Sequence, residues 1–256
     1  MLRLVELRKR FGDTVVVDRL DLIVERGERV VLLGGSGSGK TTTLKMVNRL
    51  IEPDGGRVEI DGTDAATLAP HELRRRIGYC FQQVGLFPHL TVGENVAITP
   101  RLLGWEPTRI AARVDELLDL VELSPAEFRD RLPASLSGGQ QQRVGVARAL
   151  AAAPSLVLLD EPFGALDPLT RDRLQQSFLV IARRLALTAI FVTHDMIEAL
   201  LIGDRIAVMR DGRLEQIGTP AELLAHPASE YVRTLLATPF QQIERVRRAT
   251  APDGAP

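Results

Sequence analysis

The chain has 256 residues, 45% of them hydrophobic and 25% charged, with a formal net charge of −1. That composition supplies a core for one large domain or two closely joined ones, while the near-neutral balance excludes the basic footprint of a nucleic-acid partner and a surface driven to anionic membranes. No apolar run reaches the ~18–20 residues of a membrane span.

From Met1 to Arg10 apolar residues alternate with charges, without the apolar stretch of a signal peptide, so the expected compartment is the cytoplasm. Residues 2–7 and 15–24 read as strands, with Val15, Val16, Val17, Leu20, Leu22 and Val24 at β-branched or alternating positions. Val30 to Leu33 is a continuous apolar run followed by glycines, then by a helix whose stripe is Leu44, Val47 and Ile51. Glu52 to Gly56 reads as a turn and Val58 to Ile60 as a short strand stopped at Asp61-Gly62. These outer pieces predict a small antiparallel lobe. Cys80, the one cysteine, fits a reducing compartment and reads as a small buried residue on a strand, with no His or Cys at metal-ligand spacing.

Residues from about 86 to 155 are mainly helical in pattern, with Ile110, Val114, Leu117, Leu118 and Val121 on one stripe. They read as a helical subdomain inserted between strands. Leu156 to Leu159 and Ile190 to Val192 repeat the apolar run seen at Val30. Uniformly apolar strands alternating with helices predict an α/β fold with a parallel sheet covered on both faces. Ligands bind such sheets beyond the carboxyl ends of the strands. Ile206 to Met209 and Leu214 to Ile217 flank Asp211-Gly212, a hairpin signal. A helical stretch follows with Tyr231, Val232, Leu235 and Leu236. From about Arg247 to Pro256 the periodicity is lost, and a disordered end is expected.

The chemistry begins at Gly34, Gly35, Ser36, Gly37, Ser38, Gly39, Lys40 and Thr41, with Thr42 beside them. This is G-x-x-x-x-G-K-[ST] between a strand and a helix, the context a phosphate loop requires. Glycines let backbone N–H groups turn inward around a triphosphate, and the helix N-terminus adds a positive dipole. Lys40 brings a charge to the outer phosphates and Thr41 a hydroxyl to Mg²⁺. At the end of a later strand stand Asp160 and Glu161. The first can hold Mg²⁺; the second can orient and deprotonate a water in line with the γ-phosphate. Together they predict a P-loop NTPase, with ATP and Mg²⁺ as ligands.

Leu136, Ser137, Gly138, Gly139 and Gln140 precede another helix, carrying Arg143, Val144, Ala147 and Leu150. Glycines and a serine at a helix start again make an anion site. The phosphate loop is already supplied at 34–41, so this second site is expected to serve the nucleotide of another copy, in a head-to-tail pair.

With these motifs in order, the sequence resembles the ATPase subunits of ABC transporters from about Leu2 to Ala237. Leu136 to Gln140 has the form of their signature motif. The resemblance implies a RecA-like parallel-sheet core with an antiparallel β lobe and an inserted helical subdomain, within an ATPase domain of residues 1–237 and a tail of 238–256. It implies that Gln82 touches Mg²⁺ and the attacking water, that Asp167 crosses a dimer interface and that His194 contacts the γ-phosphate. Phe11 sits where the family carries an aromatic on adenine; taken alone, it reads as a core residue sooner than as an adenine platform. Gly164 departs from a frequent Ser, and Phe11 from a commoner Tyr.

The resemblance also implies an ATP-dependent homodimer, peripheral at the cytoplasmic face of the membrane. Its expected partners are integral-membrane permease subunits and, through them, an extracytoplasmic solute-binding protein. Val84 to Leu90 with Glu94 and Asn95 would receive the permease, unless Leu86 and Phe87 serve only to pack the subdomain. Gln82 to Leu90, Ala97 to Trp105 and Val144 to Leu150 look like the ATPases of osmoprotectant importers, for glycine betaine, carnitine or choline. Importers of amino acids, nitrate or sulfonates are the alternative, and a soluble non-transport ABC ATPase the remoter one. Many osmoprotectant ATPases carry paired CBS domains, which are not expected in these 256 residues.

Overall fold

The computed structural model describes residues 1–83 and 85–250, the last two by their backbone alone. Val84, grouped in the sequence with the permease-facing stretch, and the terminal residues 251–256 lie outside the described residues.

Alternation makes the first two strands. β1 (Leu2–Phe11) pairs antiparallel with β2 (Thr14–Val24), setting Leu2, Leu4 and Leu7 opposite Val24, Leu22 and Leu20. β3 (Arg29–Leu33) is buried at all five positions, as its uninterrupted apolar run requires. α1 (Lys40–Val47), β4 (Gly55–Ile60), β5 (Thr63–Asp64), α2 (Pro70–Arg76) and β6 (Ile77–Cys80) follow. Four helices then come before the next strand: α3 (Val92–Leu102), α4 (Pro107–Leu120), α5 (Pro125–Phe128) and α6 (Gly138–Leu150). The chain continues through β7 (Leu156–Asp160), α7 (Pro168–Arg184), β8 (Thr188–Thr193), α8 (Met196–Ile202) and β9 (Arg205–Arg210). It ends with β10 (Arg213–Gly218), α9 (Pro220–Ala225) and α10 (Glu230–Thr250).

The strands form two sheets. One has four strands in the order β2-β1-β4-β5; the other has six, in the order β10-β9-β3-β8-β7-β6. In the larger sheet β6, β7, β8, β3 and β9 run parallel, and only β10 is antiparallel, at the edge. Successive residues of one strand point to opposite faces. Val31, Leu33, Val157, Leu159 and Phe191 therefore join the core with the buried faces of α3, α4 and α6 to α8. Val30, Leu32, Leu158, Ile190 and Val192 join the core that includes β1, β2 and α1. Each such side chain removed from water contributes about 1.5–3 kcal/mol. The sheet is thus the partition between two cores, and its parallel strands bring the ends of β3, β6, β7 and β8 to one edge.

Three local readings of the sequence are corrected. Ile51 is not on the α1 helix, which ends at Val47; Asn48 caps it, Arg49 turns to φ 48°, and Ile51 packs half-buried against the lobe. Gly55 and Gly56 are not in a turn but inside β4, where the register against β1 shifts between Val5 and Arg8; the glycines accommodate that bulge. The helix also does not lose its order at Arg247. α10 runs unbroken through Ala237 and Thr238 to Thr250. Its end is rich in helix-forming residues, with Glu244 bonded to Arg248 at 3.2 Å and arginines at the negative pole of the dipole. No helix among the described residues is long and apolar enough to cross a membrane.

Candidate active site

The phosphate loop joins β3 to α1. Gly39 caps the helix with φ 95° and no side-chain cap bond, so the first N–H groups of α1 are left for an anion. A Cβ on Gly39 would stand 2.6 Å from the Val16 carbonyl oxygen, so no other residue fits. Lys40 Nζ donates to Gly34 O and Gly35 O, both at 2.8 Å, and to Ser38 Oγ at 3.1 Å. Burial lowers the Lys40 pKa, while the charges of Glu161 and Asp160 act against the shift.

Asp160 ends β7, almost wholly buried, and accepts a 2.9 Å hydrogen bond from Thr41 Oγ1. Burial raises its pKa, partly offset by that bond. A hydroxyl and one carboxylate at the foot of an anion cradle are hard oxygen donors. That is the sparse protein donor set Mg²⁺ takes when phosphate oxygens and waters complete its shell.

Glu161 follows immediately, at φ 47°, a left-handed conformation costing about 1–2 kcal/mol in a residue with a Cβ. The turn is held from both sides of the residue: its N–H donates to Val192 O at 3.0 Å, and its carbonyl accepts from Gly164 N at 3.1 Å and Gln142 Nε2 at 3.2 Å. The carboxylate is held as well. Oε2 accepts from Gln82 Nε2 at 3.1 Å, and Oε1 lies 3.0 Å from His194 Nδ1. Gln82, Glu161 and His194 follow β6, β7 and β8, three neighbours in the sheet. Parallel strands set the residues after their carboxyl ends side by side. Groups far apart in sequence thus become one carboxylate with two polar supports.

Other predicted residues are not brought to this cluster. Ser137 caps α6 in a reciprocal box: Gln140 N–H donates to Ser137 Oγ at 3.3 Å and Ser137 N–H to Gln140 Oε1 at 2.9 Å. Ser137 and Gly138 are exposed, and among the described residues no hydrogen bond joins 137–140 to 34–42. A Cβ on Gly139 would lie 3.1 Å from Leu166 Cδ2. Asp167 caps α7, accepting from Thr170 N–H at 3.0 Å; that bond holds its pKa below the usual carboxylate range. Phe11, at the end of β1, is 48% exposed, with Lys9 Nζ 5.5 Å from its ring centre. It is therefore outside both cores. Cys80 is fully buried on β6, its pKa pushed up to about 12 by burial.

Two further side chains, Gln142 and Arg171, support the segments around Glu161 and His194. Gln142 is 2% exposed and holds the Glu161 carbonyl from α6. Its signal was a polar residue on the stripe shared with Val146, Ala149 and Leu150. Arg171 on α7 reaches Asp195 Oδ2 at 3.5 Å, Gly164 O at 3.5 Å and Leu166 O at 3.3 Å, joining the segment before Asp167 to the segment after His194. Nothing in the local pattern marked it.

A family model described as "ABC transporter" matches residues 17–164. The chain is 51% identical over 237 residues to the glycine betaine/carnitine/choline transport ATP-binding protein OpuCA of Bacillus subtilis, covering 92% of this chain and 62% of that one. It is 48% identical over 254 residues to the choline transport ATP-binding protein OpuBA of the same organism, covering 99% and 65%. The chain thus spans less than two thirds of the length of these relatives. Among solved structures, a dimeric post-hydrolysis state of the ATP-binding cassette MJ0796 bound to ADP and Pi superposes with a TM-score of 0.80. The identity there is 35%, over 86% of this chain and 99% of that one.

Proposed function

The chain belongs to the ABC transporter family, and from that premise we propose that it is the ATP-hydrolysing subunit of an importer for a quaternary-amine osmoprotectant such as glycine betaine, carnitine or choline. The observation that carries the hydrolytic reading is the Glu161 carboxylate held between Gln82 and His194, next to Asp160 with its Thr41 bond and to Lys40. The names of the relatives support the cargo.

Phe11 offers a half-exposed ring to adenine, and the open amides of α1 face the phosphates. Lys40 moves from the Gly34 and Gly35 carbonyls to the outer phosphate oxygens. Thr41 and Asp160 would hold Mg²⁺, which neutralises charge on the β- and γ-phosphates. Glu161 takes the proton of a water as that water attacks the γ-phosphorus. The bond to the β-phosphate oxygen breaks, leaving ADP and phosphate. Gln82 and His194 keep the carboxylate aimed.

Among the described residues no hydrogen bond joins the Ser137–Gln140 helix start to the phosphate loop of its own chain, which supports a head-to-tail pair in which each copy completes the other's site. ATP then holds the pair closed and hydrolysis releases it. A groove of about 440 Å³ beside Gln82, lined by Leu50, Arg74, Phe81, Phe87 and Ile98 among others, fits a short helix from a permease. In its wall Tyr79 Oη and Asn48 Oδ1 are buried without a hydrogen-bond partner among the described residues. Asn95, fully buried, shapes the rim: it accepts from Phe87 N–H and donates to Phe87 O, Leu90 O and Thr91 O at 2.8–3.1 Å. Leu86 packs on the core while Phe87 stays 46% exposed, so packing and docking divide between them. With such partners the chain would sit on the cytoplasmic face of a membrane, with a solute-binding protein beyond the permease.

The test is uptake of labelled glycine betaine, carnitine and choline in high-salt medium, in cells with and without this gene. Rescue by the wild-type chain but not by Glu161→Gln supports the whole reading. Unchanged uptake of all three labels sinks the cargo and turns attention to amino acids, nitrate and sulfonates. A purified chain that does not hydrolyse ATP, alone or with its permease, sinks the enzyme.

A further inference from the structure

The phosphate loop is held from outside by residues that belong to none of the motifs read in the sequence. Gly34, its first residue, is pressed on the end of β9: a Cβ there would stand 2.2 Å from the Met209 carbonyl oxygen. Gly35 donates its backbone N–H to Tyr231 Oη, 196 residues away on α10, at 3.2 Å. The Tyr231 ring is half-buried against the larger core, with the Arg210 guanidinium 4.9 Å from its centre. Core packing, the end of β9 and α10 together therefore fix where that hydroxyl points. The carbonyl of the same Gly35 accepts from Lys40 Nζ at 2.8 Å. One glycine thus stands between Tyr231 and the lysine that meets the phosphates.

We infer that Tyr231 is a positioning residue for nucleotide binding. Its hydroxyl fixes the Gly34–Gly35 arm of the phosphate loop, and with it the place from which Lys40 reaches the outer phosphates. The inference rests on the reading of this loop as an ATP site. A glycine-rich loop that is mobile when free must be ordered on binding, and that ordering subtracts from affinity. A hydroxyl carried on a packed ring orders part of the loop beforehand. The effect falls on the phosphate end of the ligand, so it is indifferent to the base.

Tyr231→Phe removes the hydroxyl and keeps the ring, its packing and the Arg210 contact. Wild type and variant are titrated calorimetrically with ATP, GTP and ADP, and steady-state hydrolysis and thermal midpoint are measured in parallel. Losing one neutral hydrogen bond predicts a rise in Kd, and in KM for ATP, of about 3- to 10-fold. The rise should be the same for the three nucleotides, with kcat at its wild-type value and the thermal midpoint lowered by no more than about 2–4 °C. Equal affinities for wild type and variant overturn the inference and leave the ATPase reading intact. So does a fall in kcat at unchanged Kd, or an effect seen with ATP but not with GTP. A wild-type chain without affinity for ATP overturns the ATPase reading, and this inference with it.

Discussion

The carboxyl edge of the large sheet and the start of α6 are both rich in glycine and polar groups, yet they are finished to different degrees. At the sheet edge Lys40 is held by the carbonyls of its own loop, while Thr41 and Glu161 find partners on other elements: Thr41 in Asp160, and Glu161 in both Gln82 and His194. At the α6 start, among the described residues, the side chains of Ser137 and Gln140 are bonded only to each other, and that of Asp167 only to its own helix. Side chains that close on themselves at an exposed surface are those a second molecule can engage without breaking the fold. Under the proposed head-to-tail pairing, the first region is the half that one chain completes by itself and the second is the half offered to the other copy.

The largest expected effect breaks the finished half. Glu161→Gln keeps shape and hydrogen-bonding capacity but removes the base, and should slow steady-state ATP hydrolysis by at least ~10² while ATP binding persists. Turnover near wild type would mean that Glu161 is not the base. The second experiment tests the unfinished half. Lys40→Ala and Ser137→Arg chains are each expected to be inactive. Mixed, they form pairs with one intact composite site, and statistical mixing returns up to about a quarter of wild-type turnover. A mixture as inactive as its components would mean that no site is shared between copies.

A third substitution separates hydrolysis from docking. Asn95→Ala leaves the Phe87 N–H and three carbonyls without their side-chain partner, an expected loss of about 2–3 kcal/mol in chemical denaturation. ATP hydrolysis by the purified chain should persist while transport driven by it falls. Hydrolysis and transport falling in the same proportion would remove Asn95 from the coupling role.

The smallest effect lies between the two regions. Glu198, buried beneath Asp195, accepts from Gln175 Nε2 at 2.8 Å; burial raises its pKa, bonds from Thr193 and Gln175 oppose the shift, Asp195 adds to it and Arg171 subtracts. A carboxyl with a raised folded pKa favours the fold while protonated, and that contribution is lost as pH climbs above the ordinary value of 4.5. Glu198→Gln keeps the Gln175 bond without a charge. Its stability relative to wild type should therefore grow as pH rises from 4.5 toward neutrality. A difference independent of pH would show that Glu198 is not carrying a buried charge.

Much of this site is legible in sequence because its parts are local. The phosphate loop depends on glycines within eight residues, and the Asp160-Glu161 pair on the end of one apolar strand. The uniformly apolar runs announce β3, β7 and β8 for the same reason. Boundaries were less legible. Ile51 continues a helical stripe that the turn at Arg49 cuts short, and the polar end of α10 offers no buried face to read, though its residues favour helix.

The chemistry available is local and readable along the chain: which side chains stand at strand ends, which helix opens on glycines, and that there are two glycine-rich helix starts where one nucleotide needs one. Only the tertiary structure decided the company those groups keep. That Glu161 lies between Gln82 and His194 follows from strand order β6-β7-β8, which long-range pairing sets. That Gln142 and Tyr231 matter follows from hydrogen bonds across sequence separations of 19 and 196 residues. Local pattern is written in residues a turn or a pleat apart; a polar side chain's partner across the fold is chosen by which buried surfaces meet.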